Sequence, residues 1–238
     1  MKAAAIETAP GLFGKMPMLG DFISRRIGAE FVDPWDDWLS RGMACARDEL
    51  GVDWLRLYLN GPVWRFVLRP GVLTETAAAG VLMPSVDAAN RHFPLTIAAG
   101  AAADPGPFTL AVEADSWFDA AERLALSCLE PGAAVSSMEQ GLEALGPVAT
   151  AGQPAAGPVL GSRWQLADDL PESLRSACPH ILDAVAADAL GAFSLWWTSG
   201  SDEVEPALLL FQGMPPADAF PALLRNARPA TEAIIDAG

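Results

Sequence analysis

Ala207-Leu-Leu-Leu-Phe211 places five apolar residues in succession. Successive side chains on a strand point to opposite faces. A run that is apolar at every position therefore reads as a central strand, covered by helices on both sides. Upstream, Phe193-Ser-Leu-Trp-Trp-Thr198 reads as a second strand, and the Ser/Gly/Pro-containing stretch between them makes the two a hairpin-like pair. Further upstream, Val63-Trp-Arg-Phe-Val-Leu-Arg69 alternates, with Trp64, Phe66 and Leu68 on one face and Arg65 and Arg69 on the other. Residues 80–84 and 93–98 are further strands around the turn Pro84-Ser-Val-Asp87, and so short a connection implies antiparallel pairing.

Helices lie between and around these strands. The clearest runs over 33–50, with Asp33 as N-cap, Pro34 in the first position, and Asp36 and Asp37 in the first turn. Trp35, Trp38, Leu39, Met43, Ala46 and Leu50 recur at helical spacing as one apolar stripe, and Gly51 can end the helix in a left-handed conformation. Residues 52–60, 114–130, 135–145 and 217–226 read as further helices, and 171–190 as one broken near Pro179. Gly20-Asp21 opens another helical segment, with Asp21 as N-cap and Phe22, Ile23 and Ile27 facing inward. The fold class is therefore α/β: a three-layer α/β/α sandwich around a mixed, partly antiparallel sheet. The chain reads as a single domain over 1–238, with a flexible Gly/Ala/Pro-rich loop at about 146–161. No G-x-G-x-x-G follows a strand, which disfavours a doubly wound dinucleotide fold.

Composition limits the functions. Hydrophobic residues make up 51% of the 238 and eight are Trp, enough for a substantial core. The net charge of −15 argues against nucleic acid and against an anionic membrane surface, since both recruit clustered Lys and Arg. It fits solubility or a basic protein partner. The start of the chain lacks a long apolar segment and carries Glu7, and no 18-residue apolar run occurs, so a cytoplasmic protein without membrane insertion is expected. Cys45, Cys128 and Cys178 are odd in number and lack a C-x-x-C, which fits reduced thiols. His92 and His180 are the only histidines, so there is little material for a zinc site, and no metal or cofactor is expected.

Several polar groups invite chemistry, and each has a plainer reading. Ser85, Asp87 and His92 suggest a Ser/His/Asp set. Ser85 lacks the G-x-S-x-G elbow that exposes a nucleophile, and Pro-Ser-x-Asp is equally a turn or helix cap. Asp21 reads as a general base or as an N-cap. Arg91 can pair with Asp87 four residues earlier, or grip a carboxylate or phosphate. Gly11-x-x-Gly14-Lys15 lacks the spacing of a phosphate loop. Trp196 and Trp197 point to opposite faces of their strand and can each meet a different helix layer.

The ordered set Gly11-Leu-Phe-Gly-Lys-Met-Pro17, Gly20-Asp-Phe22, Trp35-Asp-Asp-Trp-Leu39, Trp64-Arg-Phe66, Pro84-Ser-Val-Asp87 and Arg91-His-Phe-Pro-Leu95 resembles the TagF/ImpM family of bacterial type VI secretion. The likeness resumes at Ser194-Leu-Trp-Trp-Thr198 and Gly213-Met-Pro215 and is loose over about 100–190. Two positions depart from the family pattern. Asn90 stands where Gly is usual, a change that a positive φ tolerates, and His92 stands where an aromatic such as Tyr is usual. The resemblance implies a cytoplasmic post-translational negative regulator, a repressor that engages the forkhead-associated scaffold protein of the system, in a stand-alone form without a phosphatase domain. No catalytic residue is carried over. The partner- or ligand-binding candidates are Asp21, Arg25, Ser85, Asp87 and Arg91. An alternative is an enzyme using a polar cleft built from Asp21, Ser85, Asp87 and Arg91. Geometry separates them: an open, unsaturated cleft favours the enzyme, and mutual pairing disfavours it. The loops around 15–25 and 84–93 are expected side by side at one end of the sheet. The sequence leaves the oligomeric state open.

Overall fold

The computed structural model describes residues 5–101, 106–149 and 170–226. Seven strands form one sheet: β1 (Gly11–Gly14), β2 (Ile23–Arg25), β3 (Trp64–Leu68), β4 (Ala78–Met83), β5 (Leu95–Gly100), β6 (Phe193–Thr198) and β7 (Ala207–Gln212). Their order is β2-β1-β5-β4-β3-β6-β7. The α/β sandwich expected from sequence is present, and its sheet is antiparallel at every pairing rather than mixed.

One face is covered by α1 (Ala29–Leu50), α2 (Trp54–Leu59) and a 3-10 helix at Ala217–Leu223. A single row of residues crosses this face in register: Ala98, Gly80, Phe66, Trp196 and Leu209. A side chain at Gly80 would sit 2.6 Å from the Phe66 ring and 2.3 Å from the Ile97 carbonyl, so glycine there lets Phe66 lie flat across β4. Above the row stand Trp35 and Trp38 of α1. Trp35 packs within 4.8 Å of Phe66 and 4.9 Å of Trp38, ring centre to ring centre. Both indole N–H groups are satisfied: Trp35 donates to Thr96 Oγ1 at 2.9 Å, and Trp38 to the Pro215 carbonyl at 2.7 Å. Burying large rings with their polar atoms paired is how this face gains apolar stabilisation without a desolvation cost.

The other face is covered by α3 (Pro107–Glu113), α4 (Asp115–Ser127) and α5 (Val135–Leu145), with α6 (Leu170–Leu190) packed on α3. Val67, Val81, Leu95 and Ile97 meet Leu110, Phe118, Ala121 and Leu142 here. Arg65 also emerges on this face. Its guanidinium is bonded by Asp115 at 3.1 Å, Asp119 at 2.7 Å and Glu122 at 2.7 Å, all on α4. Burial alone would favour the uncharged arginine, but the carboxylates of Glu122 and Asp119 hold its pKa above the ordinary value.

β1, β3, β4 and β5 are buried at every position, and β6 has no exposed residue. β7, expected to be central, is instead the sheet edge. Ala207, Leu209 and Phe211 pack against the α1 side, while Leu208 and Leu210 are 59% and 44% exposed. A run of leucines reports apolarity but not whether a helix covers it.

Five other readings change. Residues 23–25 form β2 rather than a helix, and Arg26 has a positive φ of 58°. α1 begins at Ala29 behind Gly28, not at Asp33, and runs through Pro34. The 114–130 segment is preceded by a separate short helix, α3, held at its start by Asp183 of α6, which accepts from the Phe108 and Thr109 N–H groups. α6 continues through Pro179, and the last segment is 3-10 only to Leu223. Val135–Leu145 falls where expected, and Gly51 does end α1 with a positive φ of 52°, though its ψ of −121° lies outside the left-handed helical region. Of the 146–161 loop, 150–161 lie outside the described residues.

Candidate functional site

At one end of the sheet the chain leaving β1 meets the loop joining β4 to β5. Asp87 is the hub. It is 2% exposed, and both carboxylate oxygens are fully engaged. Oδ1 accepts from the Ala89 and Arg91 backbone N–H groups, each at 2.9 Å, which closes the 87–91 turn. Oδ2 accepts from Lys15 Nζ at 2.9 Å and Arg91 Nε at 2.7 Å. Asn90 completes the turn with a φ of 59°, a conformation that asparagine tolerates almost as well as glycine. Burial pushes the Asp87 carboxyl up. The hydrogen bonds from Arg91, Lys15 and Ala89 outweigh it and hold the pKa well below the usual carboxylate range.

Lys15 is the partner that sequence reasoning missed. It is 5% exposed and lies over the Phe22 ring, 4.9 Å from its centre. Its backbone carbonyl accepts from Ser85 Oγ at 2.8 Å. Tyr58, also unflagged, reaches in from α2: its hydroxyl donates to the Ser85 carbonyl at 2.9 Å and accepts from the Ser85 N–H at 3.0 Å. Burial pushes the Tyr58 phenol above its ordinary pKa. His92 stands edge-on to Tyr58, and its imidazole pKa is lowered by burial first and then by the Arg47 cation.

The two loops lie side by side. The Ala88 N–H donates to the Leu19 carbonyl at 2.8 Å, and Arg91 Nη2 donates to the Gly20 carbonyl. Ser85, Asp87 and Arg91 are thus brought together with Lys15. Asp21 and Arg25 are not part of the cluster. Asp21 accepts from the adjacent Phe22 N–H, and Arg25 pairs with Glu139 of α5 at 2.9 Å. Arg26 approaches Glu143 on the same helix. The polar groups pair with one another, so the set behaves as an internal brace rather than an open cleft. Spacing hinted at the Asp87–Arg91 contact. The Lys15–Asp87 pair joins distant parts of the chain, and the only hint of it was that an aspartate next to an apolar strand needs a cation if buried.

What this brace presents to solvent is a rim. Phe22 is 47% exposed while stacking on Phe13 and meeting Phe93 edge-on at 4.8 Å. The Arg91 side chain is 56% exposed beside it. Among the described residues no group of His, Cys, Asp or Glu is placed to hold a metal ion, and no helix is long and apolar enough to cross a membrane.

Comparison with known proteins adds the family. A family model described as the TagF N-terminal domain, type VI secretion system-associated, matches residues 11–145, the segment that holds both loops of the brace. The crystal structure of PA0076 from Pseudomonas aeruginosa PAO1 superposes with a TM-score of 0.80 at 35% sequence identity, over 96% of this chain and 100% of that one. No curated protein matches the sequence.

Proposed function

This chain belongs to the TagF family of type VI secretion system-associated proteins, and from that premise we propose that it is a cytoplasmic post-translational repressor of the secretion system, acting by binding the system's forkhead-associated scaffold. The observation that carries the reading is the match over 11–145 combined with the saturated Asp87 hub inside it. A carboxylate with every acceptor filled is suited to fixing a surface, not to moving protons.

The contact residues in this reading are the exposed Arg91, Phe22 and Asp21, with Arg25 at the margin, while Ser85, Asp87 and Lys15 hold them in position. Aromatic and arginine side chains on a rigid base are the usual anchors of protein interfaces. Two experiments test it. Deleting the gene should raise secretion and overproduction should lower it, with apparatus proteins unchanged in amount. Unchanged secretion in both would refute repression. In a pull-down with the scaffold, Arg91→Ala should weaken binding about tenfold or more and also lower the melting temperature, because Arg91 holds buried Asp87, whereas Asp21→Lys at an exposed position should weaken binding with melting near normal. Undiminished binding would remove this rim as the interface.

A further inference from the structure

The two edges of the sheet are built differently. β2 is three residues long, ends at the positive-φ Arg26, and carries Arg25 and Arg26 paired to α5. Short length, a break in conformation and charge are the devices that keep a sheet edge from pairing with another chain. β7 has none of them. It is six residues of regular strand bonded only to β6 among the described residues. The stretch from Pro206 to Ala217 holds no charged residue, in a chain with 45 charged residues, 15 basic and 30 acidic.

The helix that reaches this end of the sheet also exposes apolar groups. Leu208 and Leu210 are exposed on the sheet face opposite α1. α6 packs on α3 and β6, and Gln212 of β7 donates to the Leu190 carbonyl at its end. Ile181, Leu182 and Val185 of α6 are 40%, 49% and 45% exposed. Their spacing puts them on the side of the helix away from His180 and Asp183, the residues that hold α3.

We propose that β7 is a self-association edge, where two copies of this chain pair their β7 strands antiparallel about a two-fold axis and continue the sheet across the dimer. An antiparallel edge is complementary to an identical edge, because each N–H meets a carbonyl of the same element in the partner. A two-fold perpendicular to the sheet keeps like faces together, so Leu208 and Leu210 of the two copies meet, flanked by Ile181, Leu182 and Val185. Charge selects this edge over others. A chain of net charge −15 repels its own copy, and two copies approach most easily where both surfaces are uncharged. The patch is smaller than the 20–30 residues a side of a standard interface, so the dimer is weak and reversible.

Light scattering coupled to size exclusion, run on the full chain from about 1 to 500 µM, tests this across the range where weak dimers form. The expected result is a weight-average mass that rises with concentration toward twice the chain mass. Leu208→Lys and Leu210→Lys should each shift the midpoint up by tenfold or more without changing the melting temperature. Hydrogen exchange on the unmodified protein should show β7 amides gaining protection as concentration rises, which is independent of whether the variants fold. A chain-mass monomer at all concentrations would overturn the proposal. So would a dimer that leaves β7 exchange unchanged.

Discussion

The bond between Trp35 Nε1 and Thr96 Oγ1 joins α1 to β5 through two residues that are both fully buried, and it can be isolated by a double-mutant cycle. Trp35→Phe removes about three buried ring atoms at roughly 0.8 kcal/mol per carbon, and the residual cavity brings the packing cost to about 2–3 kcal/mol. It also strands the Thr96 hydroxyl in the core, which adds about 1–3 kcal/mol. Thr96→Val keeps the shape but leaves the indole N–H unpaired, again at about 1–3 kcal/mol. The double variant has neither polar end left, so only the packing cost of about 2–3 kcal/mol remains. It should therefore be more stable than the sum of the single changes by about 2–6 kcal/mol, the two stranded polar ends together. Urea unfolding followed by far-UV circular dichroism, with unchanged m-values, measures all four corners. Additivity within about 0.5 kcal/mol would refute the claim that this hydrogen bond couples helix to sheet.

The remaining predictions concern titrating groups. Asp87 has a lowered pKa in the folded chain, so it contributes stability above the ordinary carboxylate pKa near 3.8 and loses that contribution as pH falls below it. The urea midpoint should drop steeply between about pH 5 and 2 in the native protein and less steeply in Asp87→Asn, which will start from a lower midpoint at pH 7; parallel acid limbs would count against the hub. Cys178 is exposed, whereas Cys128 is buried with its thiol pushed up to about 11. A thiol reagent at pH 8 should modify Cys178 promptly and Cys128 only after denaturant is added, as peptide mass mapping will show; early labelling of Cys128 would contradict the packing under α4.

How far the fold could be read from the residues depended on whether a signal was local. The α1 stripe, the β3 alternation and the Val135–Leu145 helix are local patterns and appear as expected. β7 failed for a physical reason: five apolar residues in a row have the same composition whether a helix covers them or solvent does. Residues 20–27 failed because Phe22, Ile23 and Ile27 fit helical spacing, while the three-residue β2 is created by pairing with β1. Pro34 drew the start of α1 four residues too late, since the backbone donors of Phe31 and Val32 are already met by Gly28. At the brace, Asp87 and Arg91 are close in sequence and were seen together, whereas Lys15 and Tyr58 arrive from other elements and carried no spacing to read.

The strand order also dictates how the chain can assemble. β3, β4 and β5 are consecutive in sequence and adjacent in space, so this meander can close with short loops. β6 pairs with β3 only after the whole helical segment between β5 and β6 has been bridged, and β1 must wait for β5. Loop-closure entropy grows slowly with length but delays distant pairings, so folding should start at the meander and finish at the two flanks. The segment between β5 and β6 is then a topological insertion that must fold back onto the finished meander, because its helices α3, α4 and α5 cover one face of β3, β4 and β5 and α4 supplies the carboxylates around Arg65.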